Sequence, residues 1–200
     1  MSRTRVLSVV AVFFLFVSGC FGQEITKLEI IEVPSLPALE DGRPSLGFAG
    51  MMGGSHNDVL IASGGANFPD GLPWEGGKKI YSNKIYILKD GQWRLSKQSL
   101  PIPLAYGASV TIPEGVLVMG GEDQKLTSDT VFLLRFNGSN DQIEIVDYPN
   151  LPEPLAYAAA VLEDGFVYIV GGKNSKKSVN SFYRMRLSTA KKWEKLKSVA

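Results

Sequence analysis

Five side chains in the sequence are of the types that bind small polar molecules or move protons, and all five lie near glycine doublets. Glu122 directly follows the second doublet, and Tyr106 lies in the aromatic segment before it. The long insert behind the first doublet contains the other three, Asn67, Glu75 and Lys79. Carboxylates can exchange protons with a ligand, and ammonium or amide groups can hold an anion or a hydroxyl. Polar groups that converge between aromatic walls are typical of a small-molecule pocket.

The insert that carries three of these residues spans residues 64–88 and reads "GGANFPDGLPWEGGKKIYSNKIYIL". Charged loop residues are often no more than solvated surface, and for each residue taken alone that is the competing interpretation. The insert as a whole, however, interrupts a regular repeat with two prolines and a tryptophan. Loops longer than the usual connections are frequently functional, so the insert is predicted to contribute to a site.

Three segments of the chain align with one another and define an internal repeat. Each has a lead-in segment, of which "LPIPLAY" is an example, followed by two apolar runs and a glycine doublet at the end of the second run. The doublets begin at Gly64, Gly120 and Gly171, which are 56 and 51 residues apart. A period of about 50 residues with this doublet is typical of kelch repeats, in which each repeat forms one four-stranded propeller blade.

The predicted fold class is therefore all-β, with three four-stranded kelch blades that belong to a six-bladed ring. Short β-rich runs alternate with turn residues, and after residue 22 no apolar spacing of helical period persists for three turns. The predicted blades span residues 36–99, 100–150 and 151–200. Trp93 and Trp193 begin the fourth strands of the first and third blades, where we expect them to be buried between blades.

A lone outer strand is predicted over residues 23–35, ahead of the first complete blade. Such a strand closes a propeller ring when the other three strands of its blade come from elsewhere. Because a ring needs about four to eight blades, we expect the three blades to be completed by further blades of a longer chain or by a second protomer. The sequence favours the longer chain.

Blade topology predicts where the candidate residues meet. The chain reverses at every turn, so the lead-in segment and the connection from the second to the third strand lie on the same face, and both end near the central axis. We expect a common mouth there, lined by residues that follow the doublets and by the aromatic residues of the lead-in segments: Asn67, Glu122, Lys173, Phe48, Tyr106 and Tyr157. His56 is predicted to lie in a turn on the opposite face.

The first 22 residues are predicted to be an export signal. Arg3 and Arg5 precede an apolar run over residues 6–17, which is too short for a stable span of a bilayer about 30 Å thick. The following Val-Ser-Gly-Cys resembles the lipobox of bacterial lipoproteins, in which the cysteine, here Cys20, is lipid-modified. Ordinary cleavage after Gly22 is the alternative. Both predict an exported protein, either in the bacterial periplasm or anchored to a membrane through Cys20.

Composition argues against several other classes of function. The formal net charge of +1 offers no basic excess for a nucleic-acid partner. His56 is the only histidine and Cys20 the only cysteine, which argues against a copper centre and leaves no disulfide. No metal site is predicted. The "EGGKKIYS" segment lacks the serine or threonine that follows Gly-Lys in a phosphate-binding P-loop.

A specific resemblance covers the chain from about Leu36 to Leu187. The stretches "FAGMMGGSHNDVLIASGGANFPDGLPWEGGKKIYSNKIYIL" and "LPIPLAYGASVTIPEGVLVMGGED" closely resemble the kelch-type N-acetylneuraminate epimerases, also called sialic acid mutarotases. They are most similar to the cyclically permuted branch, in which this blade comes first. The resemblance implies a six-bladed exported isomerase that interconverts the α and β anomers of N-acetylneuraminate, a small sugar acid, without a cofactor.

The implied reaction opens and recloses a hemiketal. One group takes the proton of the anomeric hydroxyl and another protonates the ring oxygen, while the sugar carboxylate needs a cationic or amide partner. The family's base is a glutamate directly after one doublet, with an arginine several residues later. Glu122 has this local form, but "GEDQKLTSD" contains no arginine, and the resemblance places the catalytic blade beyond Ala200.

Within this chain Glu122 is therefore the candidate catalytic residue. Four further residues are candidate substrate contacts: Asn67, Glu75, Lys79 and Tyr106. Lys78 and Lys79 can alternatively pair with acids of their own loop. Two functions stay open at this point, a mutarotase for N-acetylneuraminate or a related sugar acid, and a non-catalytic kelch module that binds a protein or a glycan, since a propeller fold does not determine its function.

Overall fold

The computed structural model describes residues 32, 34–38, 42–189 and 192–198. The chain divides into two units, Met1–Glu32 and Val33–Ala200, and all strands given below belong to the second. The signal predicted over residues 1–22, including Cys20, lies outside the described residues, as does almost all of the lone strand predicted over residues 23–35. In the part of the chain that the structure describes, no helix has the length and apolar character needed to cross a membrane.

Three four-stranded antiparallel sheets follow one another along the chain. The first sheet begins with β1 (Met52–His56) and β2 (Val59–Ser63). The insert then forms a hairpin of β3 (Ala66–Asn67) and β4 (Ile80–Tyr81), with a 3-10 turn at Pro73–Glu75 in its tip. The sheet resumes with β5 (Lys84–Lys89) and β6 (Gln92–Ser99).

The second and third sheets repeat this order without an insert. The second contains β7 (Ala108–Ile112), β8 (Gly115–Met119), β9 (Val131–Asn137) and β10 (Gln142–Tyr148). The third contains β11 (Ala159–Glu163), β12 (Phe166–Val170), β13 (Phe182–Arg186) and β14 (Glu194–Lys195). These blade-like units confirm the predicted all-β kelch architecture. The sheets do not close into a ring, so six blades stay a prediction.

Two apolar clusters hold the blades together, one on each face of the middle sheet. Val116 and Val118 belong to the cluster shared with the first blade, whereas Leu117 and Met119 belong to the cluster shared with the third. β8 is therefore buried along its whole length. Side chains of this size contribute about 1.5–3 kcal/mol each when fully buried, so stacking of neighbouring blades is the main source of stability.

The two tryptophans have different environments. Trp193 is buried in the cluster between the second and third blades, and its indole nitrogen donates a hydrogen bond of 2.9 Å to the carbonyl oxygen of Pro149. The prediction of a core residue is confirmed there. Trp93 is only partly buried, and its burial between blades stays a prediction. Trp93 pairs with Leu88 on the face of the first blade that points away from the second, and no blade among the described residues covers that face.

A second contact joins the first two blades at the turn between β1 and β2, which lies at the other end of β2 from the glycine doublet. His56 ends β1, and its Nδ1 accepts a hydrogen bond of 3.0 Å from the amide of Phe136. Asn57 donates a hydrogen bond of 3.0 Å from Nδ2 to the carbonyl oxygen of Phe136. The backbone N–H and C=O groups of Phe136 are thus both hydrogen-bonded to side chains of the first blade. His56 therefore has a structural role away from the predicted mouth.

The glycine doublets join each blade to the next at the other end. The amides of Gly65 and Gly121 each donate a hydrogen bond of 2.8 Å to the lead-in segment of the following blade, at the carbonyl oxygens of Leu104 and Leu155. Gly120 has a φ of +64°, and a Cβ there would lie 2.1 Å from the carbonyl oxygen of Leu155. Only glycine allows both the left-handed conformation and this close approach.

We predict that Gly120→Ala destabilises the protein by about 2–5 kcal/mol, because a left-handed φ costs an alanine about 1–2 kcal/mol and the steric overlap adds about 1–3 kcal/mol. Gly91→Ala is the matched control, because Gly91 has a φ of +75° but no atom within 4 Å of an added Cβ. Gly91→Ala should lose only the conformational cost of about 1–2 kcal/mol. Urea unfolding measures both variants, and equal losses would contradict the proposed close approach.

Candidate functional site at the mouth of the blades

The lead-in segment of each blade pairs with the residue directly after that blade's doublet. The backbone bridges are Ala49 with Ala66, Ala105 with Glu122, and Ala156 with Lys173. The same bridge in all three blades brings the lead-in segments and the residues after the doublets together, as blade topology predicts. Glu122 and Lys173 therefore occupy equivalent positions in neighbouring blades.

Three equivalent lead-in residues form a hydrogen-bonded series across the blades. They are Gly50, Tyr106 and Tyr157, each one residue after the bridged alanine. The amide of Tyr106 donates to the carbonyl oxygen of Gly50 at 2.8 Å, and the amide of Tyr157 donates to that of Tyr106 at 2.7 Å. Phe48, the third aromatic residue predicted to line the mouth, is not at the position of these tyrosines, because the repeat places Gly50 there and aligns Phe48 with Leu104.

Both tyrosines adopt a backbone conformation that is unusual for an aromatic residue. Their φ angles are +60° and +59°, and that of Gly50 is +65°. The rings of Tyr106 and Tyr157 stack with centroids 4.6 Å apart and planes inclined by 17°, and a Cβ on Gly50 would lie 2.3 Å from the ring of Tyr106. A left-handed φ costs a non-glycine residue about 1–2 kcal/mol. Strained backbone of this kind concentrates at functional sites, which marks the tyrosine pair as more than core packing.

Glu122 is the centre of a polar cluster formed by three blades. Its Oε2 lies 2.9 Å from Nζ of Lys173. Its Oε1 accepts a hydrogen bond of 2.9 Å from the hydroxyl of Tyr157 and a longer one of 3.4 Å from that of Tyr81. The Glu122 side chain is only 14% exposed, compared with 43% for Lys173. A carboxylate this enclosed requires such partners, because an unpaired buried charge is strongly unfavourable.

The protonation states of this cluster follow from its contacts. Burial acts to raise the pKa of Glu122, but the hydrogen bonds from Lys173 and Tyr157 and the charge of Lys173 outweigh it, and the net pKa is lowered. Burial, together with the neighbouring Glu122 carboxylate, raises the pKa of both Tyr157 and Tyr81. At neutral pH the mouth therefore contains a carboxylate that can accept but not donate a proton, two neutral phenols and an ammonium group.

Lys79 adds a second ammonium group to the mouth. Its Nζ lies 5.2 Å from the ring centroid of Tyr106 and 5.8 Å from that of Tyr81, which is the range of a cation–π interaction. Unlike Lys173, it forms no ion pair with any carboxylate among the described residues. The two aromatic rings hold the charge in place and leave it available for an anion.

Asn67 lies beside this cluster on the wall of an apolar groove. Its Nδ2 donates a hydrogen bond of 3.0 Å to the carbonyl oxygen of Gly47. The groove has a volume of about 630 Å³ and also includes Tyr106 in its lining. The structure therefore brings four of the five predicted site residues into one region, with Asn67 on the groove and Glu122, Lys79 and Tyr106 in the polar cluster.

Glu75 has a different environment. It ends the exposed 3-10 turn in the tip of the insert, and its Oε2 accepts a hydrogen bond of 3.0 Å from the amide of Leu72. The carboxylate thus stabilises the turn that carries it. Its predicted contact with substrate stays a prediction.

Three residues of the cluster were not among the sequence candidates for catalysis or substrate contact: Tyr81, Tyr157 and Lys173. Lys173 and Tyr157 could have been identified from the repeat, since Lys173 directly follows a doublet and Tyr157 directly follows a lead-in alanine. Tyr81 could not, because it reaches Glu122 through the β3–β4 hairpin, in which it pairs with Ala66. That pairing depends on the three-dimensional path of the insert.

The fold and the mouth together define a class of protein, an all-β chain of kelch-type propeller blades whose lead-in segments and doublets bring polar and aromatic side chains together. Among the described residues, no group of three or more histidine, cysteine, aspartate or glutamate side chains is arranged to hold a metal. The family model of N-acetylneuraminate epimerase matches residues 19–145, more than half of the chain. The chain therefore belongs to the N-acetylneuraminate epimerase family.

Individual members of the family show the same similarity. N-acetylneuraminate epimerase of Vibrio cholerae is 40% identical over 122 residues, which is 56% of this chain and 31% of that protein. The epimerase of Yersinia enterocolitica is 38% identical over 115 residues, or 53% of this chain and 28% of that protein. The epimerase of Brucella suis is 33% identical over 123 residues, which is 56% of this chain and 31% of that protein. The matched part of the chain spans about a third of these curated relatives.

We predict that Glu122→Gln lowers the free energy of unfolding at neutral pH by about 1.5–3 kcal/mol, the usual range for hydrogen bonds to a charged group. Because the pKa of Glu122 is lowered in the folded protein, its charged form stabilises the fold fully above the ordinary glutamate pKa of about 4.3. This contribution is lost as the pH falls through the lowered folded value. The difference between wild type and variant should therefore shrink in acid, as measured by urea unfolding at a series of pH values.

Two observations complete this test. Glu163→Gln, at the exposed end of β11, is the matched control and should change stability little at any pH. In an ultraviolet titration of the phenols, the step that is missing in Tyr157→Phe belongs to Tyr157. The pKa of Tyr157 should fall when Glu122 is replaced by glutamine. A stability difference that is constant with pH would show that the Glu122 charge is not held by this cluster.

Proposed function

We propose that the protein binds a sugar acid at the mouth formed by Glu122, Lys79 and the tyrosines, and that it interconverts the α and β anomers of N-acetylneuraminate or a closely related sugar. The proposal is supported by membership of the N-acetylneuraminate epimerase family and by the presence of cationic, phenolic and carboxylate groups in one mouth. The observation that carries it is the ammonium group of Lys79, which lies above two tyrosine rings and has no carboxylate partner among the described residues. The carboxylate of a sugar acid is the complementary group.

The remaining residues of the cluster suit a ligand rich in hydroxyl groups. The hydroxyl of Tyr157 donates to Glu122, so its oxygen can still accept a hydrogen bond. Tyr157 is 49% exposed, and its stacked ring forms part of the wall of the mouth. A sugar whose carboxylate pairs with Lys79 would have its hydroxyl groups close to this phenol and to Lys173.

Proton transfer requires two groups, and the charge state of the cluster restricts their assignment. Glu122 is ionised at neutral pH because its pKa is lowered, so it can take the proton of the anomeric hydroxyl but cannot supply one to the ring oxygen. Its ion pair with Lys173 reduces its basicity. In our proposal the Glu122 carboxylate accepts the proton of the anomeric hydroxyl, and a different residue protonates the ring oxygen.

The same charge state favours a second candidate function, a kelch module that binds a sugar acid without catalysis. Both carboxylate oxygens of Glu122 are already engaged by partners, and no arginine follows Glu122 in "GEDQKLTSD". A group fully used in positioning neighbours is poorly available for proton transfer. The two functions differ in whether the protein accelerates anomer exchange, not in where it binds.

We predict that Lys79→Gln weakens binding of N-acetylneuraminate by about 10- to 100-fold, as expected for loss of a charge-assisted contact. Lys78→Gln is the matched control, because Lys78 is the exposed neighbour in the same insert and has no ring contact. Titration calorimetry or ligand-observed NMR measures the affinity. Equal effects of the two substitutions would exclude the mouth as the binding site.

Proton NMR of freshly released α-N-acetylneuraminate then measures the rate of anomer equilibration with and without protein, at a pH where the spontaneous rate is slow. The mutarotase proposal expects acceleration that Glu122→Gln reduces. Binding that Lys79→Gln weakens, without any acceleration, would instead establish the binding module.

We also propose that the protein is exported and anchored to a membrane through Cys20, on the basis of the lipobox-like Val-Ser-Gly-Cys sequence. Expression in a bacterial host should yield a membrane-associated form whose mass includes the lipid, and Cys20→Ala should move the protein to a soluble fraction. A mature chain that begins after Gly22 and carries no lipid would favour the soluble periplasmic form. A chain that retains its first 22 residues in the cytoplasm would contradict export altogether.

A further inference from the structure

A groove lined by apolar side chains adjoins the polar cluster and has no role in the function proposed above. It has a volume of about 630 Å³ and is lined mainly by residues of the first lead-in segment and the insert: Leu46, Phe48, Phe68, Leu72 and Tyr106. A second groove of about 250 Å³ shares Leu46, Phe48 and Asn67 with it and continues to Ile80 and Tyr81. The two therefore form one surface between the lead-in segment and the insert hairpin.

Several apolar side chains on this surface are exposed. Leu46 is 66% exposed, Ile80 46% and Leu72 45%. Single exposed leucines are ordinary, but a contiguous set beside a polar site indicates a binding surface. Pockets for small ligands have volumes of about 300–1,000 Å³ and are mostly apolar with a few polar groups. This groove fits that description, and Asn67 supplies its amide.

The groove and the polar cluster share their tyrosines. Tyr106 lines the larger groove and Tyr81 the smaller, and Lys79 lies above both rings. A ligand whose carboxylate pairs with Lys79 therefore has the apolar groove directly beside it. The surface is complementary to an organic anion that carries an apolar substituent, not to an anion that is polar on all sides.

We propose that this groove binds the acyl substituent of the sugar acid and accepts acyl chains longer than acetyl. The inference rests on the proposed function, since it assumes that a sugar acid occupies the mouth. At about 30 Å³ for each water-sized heavy atom, the three heavy atoms of an acetyl group fill on the order of 90 Å³. The groove of about 630 Å³ is several times larger, so it leaves room for chain extension without displacement of protein side chains.

The test uses a series of neuraminic acids that carry N-acetyl, N-propanoyl, N-butanoyl or N-hexanoyl groups. Titration calorimetry measures their dissociation constants for the wild-type protein. Each added methylene that leaves water should tighten binding by about two- to fourfold, the value expected for apolar surface in a half-open groove. Leu46→Ser and Leu72→Ser should reduce this gain with chain length, and because both side chains are exposed they should not prevent folding.

Two controls separate the inference from the function on which it rests. Leu126→Ser removes another leucine, 69% exposed, that lines neither groove, and it should keep the full chain-length dependence. Lys79→Gln should weaken all four ligands by the same factor. Equal or decreasing affinity along the series, with the Lys79→Gln effect retained, would overturn the acyl groove and leave the sugar-acid site intact. Failure of the wild type to bind the N-acetyl compound would overturn the proposed function itself.

Discussion

The approach of the first two glycine doublets to the lead-in segment of the following blade is the constraint on which the site depends. With a Cβ only 2.1 Å from the carbonyl oxygen of Leu155, any side chain at Gly120 would push the second and third blades apart. The backbone of Glu122 begins two residues later, and its bridge to Ala105 holds it against the lead-in segment. The position of the carboxylate therefore follows from backbone contacts that do not depend on the ligand chemistry at all.

The polar cluster in turn couples the blades electrostatically. Tyr81 comes from the insert of the first blade, Glu122 from the second, and Tyr157 and Lys173 from the third. Because the carboxylate is largely enclosed, removal of Lys173 would leave its charge without a counterion in a region of low dielectric constant. This explains why two ammonium groups can coexist in the mouth with different roles. Lys173 neutralises Glu122, whereas Lys79 lies over aromatic rings and has no carboxylate partner in the described part of the chain, so its charge is available to another anion.

The regular part of this arrangement could be predicted from the sequence, and the irregular part could not. The spacing of the doublets was enough to predict four-stranded blades, and the direction of the chain within a blade placed Glu122 and Tyr106 near each other. Phe48 was predicted to line the mouth together with the tyrosines, but the residue of the first blade that is equivalent to Tyr106 is Gly50. That glycine is required by the ring of Tyr106, which covers it, and a contact between blades leaves no trace in the local sequence. Trp93 shows the same limit, since its burial depends on what covers one face of its sheet.

The insert can now be given a physical reason for its length. A connection between β2 and β5 as short as that between β8 and β9 would satisfy the blade, but it would carry neither the β3–β4 hairpin nor the side chains on it. The hairpin of β3 and β4 extends the first blade so that Tyr81 lies 3.4 Å from Glu122 and Lys79 lies over the ring of Tyr106. The same hairpin presents Leu72 and Ile80 along the apolar groove. One added segment thus supplies both the cationic and the apolar wall of the mouth, and the regular blades supply the carboxylate and the phenol. Because the two walls belong to one short hairpin, a change in its register would move charge and apolar surface together, so the geometry of the proposed site depends on the pairing of Ala66 with Tyr81 as much as on any single side chain.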